Sequence, residues 1–384
     1  MTQAAEMIDA EHFRQLGLPQ RNQPTGTFFE SLLNDSPTSR SSLVHNVTTT
    51  GRLVRLGAHL LPVTVNEDNL ADSWVCSPYN AVVTYPLEEL RNLHSPALRA
   101  SVAGLVHAIA PLVRYGRINR VVCVNNWLLS TNLYPDLHRD ALRSLTEMIS
   151  QRFPGHAILF RSLNRRTNQS LLESLQHLGY LLAPSRQVYF YDGRQPDYLQ
   201  RHNTKIDLKR LDKPRGYTHL RHDQFTPEQD SRVRELYDLL YLRKYSEHNP
   251  QFTERLIALW RESRLLTFFG LQNSSGQLDG VVGTFAMHGV VTAPLVGYDT
   301  ARPQAHGLYR MLMAQVLRLA ADEKLLLNLS AGAAGFKRLR GGEPEMEYSA
   351  IYCRHLPLRQ RAVWKSLALL LQRVGGRLLQ RYEL

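Results

Sequence analysis

From Arg264 to Cys353 the chain reads as a fixed succession of elements, and that succession restricts the fold more than any other feature. RLLTFFGLQ (264–272), a turn at Asn273-Ser-Ser-Gly276 and DGVVGTFAMHG (279–289) read as a hairpin, since apolar runs flank a Gly-containing turn. VVTAPLVGYDT (290–300) reads as a third strand. Gly307 to Asp322 predicts an amphipathic helix, with Leu308, Leu312, Val316, Leu319 and Ala320 on one side. KLLLNLSAG (324–332) predicts a buried strand, followed by a short helix over 333–340 and a strand EMEYSAIYC (345–353). Upstream, Thr226-Pro-Glu-Gln carries a cap, a Pro at the first helical position and acid in the first turn. Val233, Leu236, Leu239 and Leu240 continue that helix, and another is expected around 251–262. Strands alternating with helices predict an α/β fold, a mixed central sheet flanked by helices.

The chain has 384 residues, more than one ordinary core and enough for two domains of roughly 150–200 residues. The first half has its own succession. RLVRLG (52–57) and HLLPVTV (59–65) read as adjacent strands. Leu98, Val102, Leu105, Val106 and Ile109 repeat at helical spacing, and RVVCVNN (120–126) is a short buried strand. Asp136 to Ile149 is helical in pattern, and HAILFRSLN (156–164) is a strand. Thr167 is expected to cap a helix to His177 that Gly179 ends, before the extended YLLAPSRQVYFYD (180–192). The expected organisation is a polar N-terminal arm over 1–50, a domain over 51–200, a second over 217–357, and a basic amphipathic helix over 358–384. In the arm, one short apolar cluster stands out: Phe28, Phe29, Leu32 and Leu33. In the last helix, Val363, Trp364, Leu367, Leu370, Leu371, Val374 and Leu378 form one apolar face, which is expected to pack on its own domain.

Composition narrows the class. Apolar residues at 43% and charged residues at 21% exclude wholesale disorder and fibrous repeats. No run approaches the roughly 18 uninterrupted apolar residues that mark a membrane span, so no integral membrane insertion is expected. MTQAAEMIDAEHF has no basic start and apolar stretch of a secretory signal. Cys76, Cys123 and Cys353 lie far apart, form no metal-ligand pattern, and suit a reducing cytoplasm. The net charge of +12 is concentrated in residues 152–222, with thirteen Lys or Arg against five acids, and in 354–384, with seven against one. That excess fits a phosphate-bearing partner, a nucleic acid or an anionic surface, or simply a solvated basic face.

The order of elements over 226–353 resembles the core of the GNAT acyltransferase superfamily. Gln304-Ala-His-Gly307-Leu308-Tyr309, between a strand and a helix, is similar to a degenerate form of that superfamily's Q/R-x-x-G-x-G/A pyrophosphate loop. Asn328-Leu-Ser330-Ala-Gly332, followed by Gly335-Phe336-Lys337-Arg338-Leu-Arg340-Gly341, resembles the strand end and aromatic-Lys element of Fem-type and related tandem-GNAT transferases. The element order over 51–192 resembles, more weakly, a first GNAT half without the motifs. The resemblance implies two tandem GNAT-like domains. It also implies a donor loop at Gln304, Gly307, Leu308, Tyr309 and Arg310, and an acceptor cleft lined from Lys244, Tyr245, Asn328, Ser330 and Arg338. Tyr309 departs from the pattern, which has Gly or Ala there, and so argues against ordinary acyl-CoA binding; several Fem-type members take aminoacyl-tRNA instead.

The residues have chemistry of their own. A loop entering a helix offers unpaired N–H groups and a positive dipole end, where phosphate binds without cationic side chains. Gly307 would let backbone approach it; alternatively Gly307 only makes a tight helix entry. Asp299 is a base candidate and Tyr298 a proton donor to a leaving thiolate, while the pair Asp299-Thr300 also suits a plain turn cap. Lys337 follows a small-residue run and can stabilise an oxyanion, or belong to an exposed helix face. Glu347 is a second base candidate or a solvent-face residue. Trp74-Val-Cys-Ser-Pro-Tyr79-Asn80 is an aromatic and polar loop that can face the same cleft.

Together these readings predict an N-acyltransferase with no metal and no tightly bound cofactor. Its co-substrate is an acyl thioester, acyl-CoA or carrier-protein-bound, and its acceptor an amine on a small molecule or natural-product intermediate. The amine attacks directly. The alternatives are an aminoacyl-tRNA-dependent amide-forming transferase, with tRNA as partner, and a non-catalytic GNAT scaffold.

Overall fold

The computed structural model describes residues 4–15, 24–35, 43–92 and 95–382. Its strands, in chain order, are β1 Ala5–Ile8, β2 Thr50–Leu56, β3 His59–Asn66, β4 Val121–Val124, β5 Ala157–Asn164 and β6 Leu181–Asp192. They continue as β7 Tyr217–Arg221, β8 Thr267–Asn273, β9 Leu278–Met287, β10 Val290–Tyr298, β11 Leu326–Asn328 and β12 Glu343–Tyr352. All twelve join one mixed sheet in the order β1-β2-β3-β4-β5-β12-β6-β11-β10-β9-β8-β7, with helices on both faces. The fold is the expected α/β architecture, and the expected strands and helices lie where their periodicity put them.

The two halves are joined by an exchange of strands. β12, the last strand of the chain, lies between β5 and β6 and is antiparallel to both. β6, from the first half, pairs antiparallel with β11 of the second. The sheet is therefore continuous, and residues far apart in sequence become cross-strand neighbours: Glu347 stands opposite both Asn164 and Arg186. Each half contains one parallel pair, β4 with β5 and β10 with β11. In the second half that pairing is short. Only Val290–Thr292 faces Leu326–Asn328, after which β10 runs on against β9 to Tyr298. A splay opens between the two strands at that point.

The arm expected over 1–50 is packed wherever it is described. Pro24–Asn34 is a helix whose Phe28, Phe29 and Leu32 are buried. The rings of Phe28 and Phe29 each lie 5.3 Å from that of Trp127, and Phe285 lies at 5.3 Å from it as well. Val44 bridges to Phe252, and Thr253 donates to the Leu43 carbonyl. The four apolar residues sit at helical spacing, and burying each Phe contributes roughly 1.5–3 kcal/mol, enough to hold a polar segment against the sheet. Residues 16–23 and 36–42 of the expected arm lie outside the described residues.

The basic, Gly-containing stretch 201–217, which joins the two expected domains and reads from sequence as a connector, contains the helix His202–Asp212 and the start of β7. The helix at 165 is capped by Asn164, whose side chain accepts from the Thr167 N–H, rather than by Thr167 itself. Thr226 and Gln229 form the expected reciprocal cap. In the C-terminal helix Leu358–Leu370, Val363, Trp364, Leu367 and Ala368 are buried, whereas Val374, within a wider turn at Leu371–Gly375, is exposed. Among the described helices, Pro96–Tyr115 is long and apolar enough to cross a membrane by length and composition. Arg99, His107 and Arg114 interrupt its apolar run, which is why a search for unbroken apolar sequence passes over it. Its buried residues are Val106 and Val113, while Leu105, Leu112 and Tyr115 are exposed.

Candidate functional site

The splay between β10 and β11 is walled by aromatics. Beyond Asn328 the chain stays on the β6 side, where the Leu329 N–H donates to the Tyr189 carbonyl at 2.9 Å. On the β10 side, Tyr298 ends the strand. Tyr309 stands between the arms, its ring 6.1 Å from Tyr298 and 5.0 Å from Phe336. All three rings are half-buried, as is Tyr241 from the helix Asp230–Tyr241. Burial pushes the phenols of Tyr309 and Tyr241 well up, so both stay neutral hydrogen-bonding groups.

At one end of this splay lies the expected loop. Gly307 has φ +69°, a left-handed conformation that glycine adopts without strain, and it is the N-cap of the helix Leu308–Asp322. No side chain caps that helix. Leu308 is buried and anchors it, while Gln304 is exposed. Arg210, from His202–Asp212, crosses directly over Gly307 and donates to the Ala305 carbonyl at 2.5 Å. A guanidinium therefore lies over an open helix N-terminus. Arg210 was missed in the sequence because its segment reads as a basic connector; the signal available was the i, i+3 placement of two residues, Asp207 and Arg210, on one helix. Arg310 is spoken for: its guanidinium meets the buried Asp207, which also holds Arg340.

Lys337 is 4% exposed, not part of an exposed face. Its Nζ donates to the carbonyls of Leu329 at 2.7 Å, Ser330 at 3.0 Å and Ala331 at 2.8 Å. It clamps the turn that follows β11, where Ser330 and Ala333 hold positive φ. Burial, with the Arg186 guanidinium nearby, pulls its pKa down to about 7. All its protons are committed to carbonyls, so it acts on the site by positioning the 329–331 backbone.

Asp299 takes the turn role. One oxygen accepts from the Ala301 N–H at 3.0 Å, and the other faces Arg232 at 3.2 Å and Arg302 at 3.6 Å. Held this way, its carboxylate is an ion-pair partner and not a free base.

Glu347 is 2% exposed and faces Arg186. Its Oε1 accepts from Arg186 Nε at 2.9 Å and Nη2 at 2.7 Å, and its Oε2 has no partner. Arg186 also donates to Ser330 Oγ at 3.1 Å and to the Ser130 carbonyl at 2.8 Å. Its guanidinium lies 5.1 Å from the ring of Trp74, with Arg161 at 4.9 Å from that ring. The Trp74 loop thus does reach this place. Glu89 stands nearby, its carboxyl raised by burial and drawn back by Tyr85 and Arg186. Arg186, the hub, was not singled out from the sequence, since only the strand exchange brings it to Glu347 and Ser330.

The remaining residues divide. Asn328 is buried and its Oδ1 accepts from the Ser330 N–H at 2.8 Å. Lys244 and Tyr245 are exposed at the end of the Asp230–Tyr241 helix, with the Tyr245 ring 6.0 Å from Tyr241; Arg91 donates to both their carbonyls. Arg338 is exposed. Among the described residues there is no group of three or more His, Cys, Asp or Glu that could hold a metal ion.

No family model matches the chain, and no curated protein matches it. Solved structures resemble it distantly. L-PGS from Bacillus licheniformis is 14% identical with a TM-score of 0.45, over 60% of this chain and 78% of that one. FemX is 10% identical with a TM-score of 0.43, over 60% of this chain and 80% of that one. A tandem GNAT protein from the clavulanic acid biosynthesis pathway is 11% identical with a TM-score of 0.38, over 90% of this chain and 98% of that one. At these identities and scores the likeness assigns neither a family nor an activity to this chain.

Proposed function

We propose that the chain is an N-acyltransferase, moving an acyl group from a thioester to an amine by direct attack. The observation that carries this reading is the splay between β10 and β11 with an uncapped helix N-terminus and Arg210 at its end. The helix N-terminus at Leu308, Tyr309 and Arg310, together with Arg210, would hold the donor's phosphates. The thioester carbonyl would lie in the splay near Ser330, whose position Arg186 and Lys337 fix. The amine nitrogen bonds to that carbonyl carbon, the carbon–sulfur bond breaks, and the thiolate takes a proton from the Tyr298 hydroxyl. Glu347 orients Arg186 and, with its unpaired Oε2, would take the amine's proton in preference to Asp299, whose oxygens are both engaged. Three free, buried cysteines fit a reducing cytoplasm. Thiol release from a series of acyl-CoAs with an amine panel tests the reading. Absence of amine-dependent thiol release with every donor would overturn it.

One observation favours a second donor. Tyr309 fills the splay where a pantetheine arm would need room. An aminoacyl-tRNA presents its ester at a flexible 3′ end and need not thread a narrow slot, and the basic helix His202–Asp212 would contact its phosphates. Transfer from labelled aminoacyl-tRNA, with no thiol release from any acyl-CoA, would select this reading.

A further inference from the structure

On the central strands, beneath the loop that follows β4, lies a cleft of about 100 Å³ lined mostly by polar side chains. Four are asparagines: Asn132, Asn164, Asn168 and Asn328. Each spends its carbonyl oxygen on a backbone N–H. Asn132 accepts from Trp127 at 3.1 Å, Asn164 from Thr167 at 2.9 Å, Asn168 from Asn164 at 3.4 Å, and Asn328 from Ser330 at 2.8 Å. A backbone N–H can only donate, so the oxygen of each amide is identified by its partner and the NH₂ group is the end left over. Four NH₂ groups are thus offered to one cleft by three segments of the chain, Asn164 and Asn168 sharing the N-terminal end of the helix Arg165–His177.

Asn132 supplies an independent sign of a missing partner. It is 2% exposed, and its Nδ2 is buried with no hydrogen-bond partner. A buried unpaired donor is costly, and folded proteins rarely keep one that nothing fills. The N-terminal end of the helix Arg165–His177, capped by Asn164, faces the same cleft and adds a positive dipole end. His288, on the rim, is held toward its neutral form by burial and by His59. Asp136, the one acid lining the cleft among the described residues, is exposed and screened by water. Among the described residues, no Lys or Arg lines it.

We infer that this cleft binds a small carboxylate-bearing molecule, its two oxygens taken by the asparagine NH₂ groups. Neutral donors and a partial helix charge suit one negative charge. A phosphate dianion carries a second charge that neutral donors and one helix end offset less well. Binding here requires no acyl transfer, so the inference stands apart from the catalytic reading.

The test is a titration of the full-length protein, labelled with ¹⁵N at asparagine, with acetate and separately with inorganic phosphate. A four-atom ligand of this kind binds in the millimolar range, so the titration runs to about 50 mM. Acetate is expected to shift a set of asparagine NH₂ signals saturably and at least tenfold more tightly than phosphate. Asn132→Asp keeps the oxygen that accepts from Trp127 and replaces the donor by an acceptor. It should weaken acetate at least tenfold. Asn168→Asp, an acid near a helix N-terminus and therefore tolerated by the fold, should do the same. The inference is overturned if acetate shifts no NH₂ signal, if phosphate binds more tightly, or if both folded variants bind acetate as the parent does.

Discussion

The protonation of Lys337 gives a sharp test of how the turn after β11 is built. The buried amine has a pKa near 7, against an ordinary lysine value of 10.5. Above pH 7 the folded chain gives up this proton while the unfolded chain keeps it until about pH 10.5. The unfolded state then binds more protons, so this group makes stability rise with pH across that window. The slope approaches ~1.4 kcal/mol per pH unit, and the first unit above 7 gives about 1 kcal/mol. Lys337→Met removes the titration and keeps most of the volume. Urea unfolding of both proteins at about pH 6, 7, 8 and 9 should show the parent gaining on the variant by about 1 kcal/mol between pH 7 and 8, and more by pH 9. A second effect runs against it: a neutral amine has two N–H bonds for three carbonyls. A pH-independent difference would refute the reasoning, because it would mean that the three carbonyls outweigh burial and keep the ammonium charged.

Other expectations follow from the same geometry. Arg210→Ala should raise the KM for a phosphate-bearing donor by about tenfold, the scale of one charge-assisted contact, with an unchanged melting temperature; an unaltered KM would remove Arg210 from the donor site. Arg186→Met leaves the Glu347 carboxylate buried without its partner and should destabilise by about 3–5 kcal/mol, and Glu347→Gln in the same chain should restore part of that loss in thermal unfolding. Gly297→Ala drives a methyl into the backbone of Leu236 and Tyr237, so it should cost several-fold in soluble yield and lower the melting temperature; a wild-type melting curve would contradict the close packing of β10 on that helix. Trp127→Ala should cost about 3–5 kcal/mol and expose the Pro24–Asn34 helix to protease.

Much of the fold was legible because periodicity is a local signal. The hairpin β8–β9, the helix Leu308–Asp322 and the first-half strands all announce themselves within a dozen residues. The N-terminal segment did not. Phe28 and Phe29 sit in polar surroundings, and their value lies in Trp127 and Phe285, which are distant in sequence. Likewise His202–Asp212 has its apolar content reduced to Ile206, Leu208 and Leu211, and what fixes it is the buried Asp207 between Arg310 and Arg340. A buried ion pair between segments more than a hundred residues apart leaves no trace in either segment alone.

The candidate site shows the same division more sharply. Gly307 could be found from its loop, because a left-handed residue at a helix entry is a local requirement. Lys337 could be found too, but its role could not, since a lysine at a strand-to-helix junction looks the same whether it faces a substrate or three carbonyls. Arg186 has no local signature at all. It alternates in an ordinary strand, and it becomes the hub only because β12 is inserted beside β6, setting Glu347 opposite it, and because the turn after β11 delivers Ser330 to its other edge. The exchange of β6 and β12 is therefore the step that makes the site. It places groups from both halves on one face of one sheet, so neither half, folded with its own contiguous strands, would contain the Arg186–Glu347–Ser330 cluster.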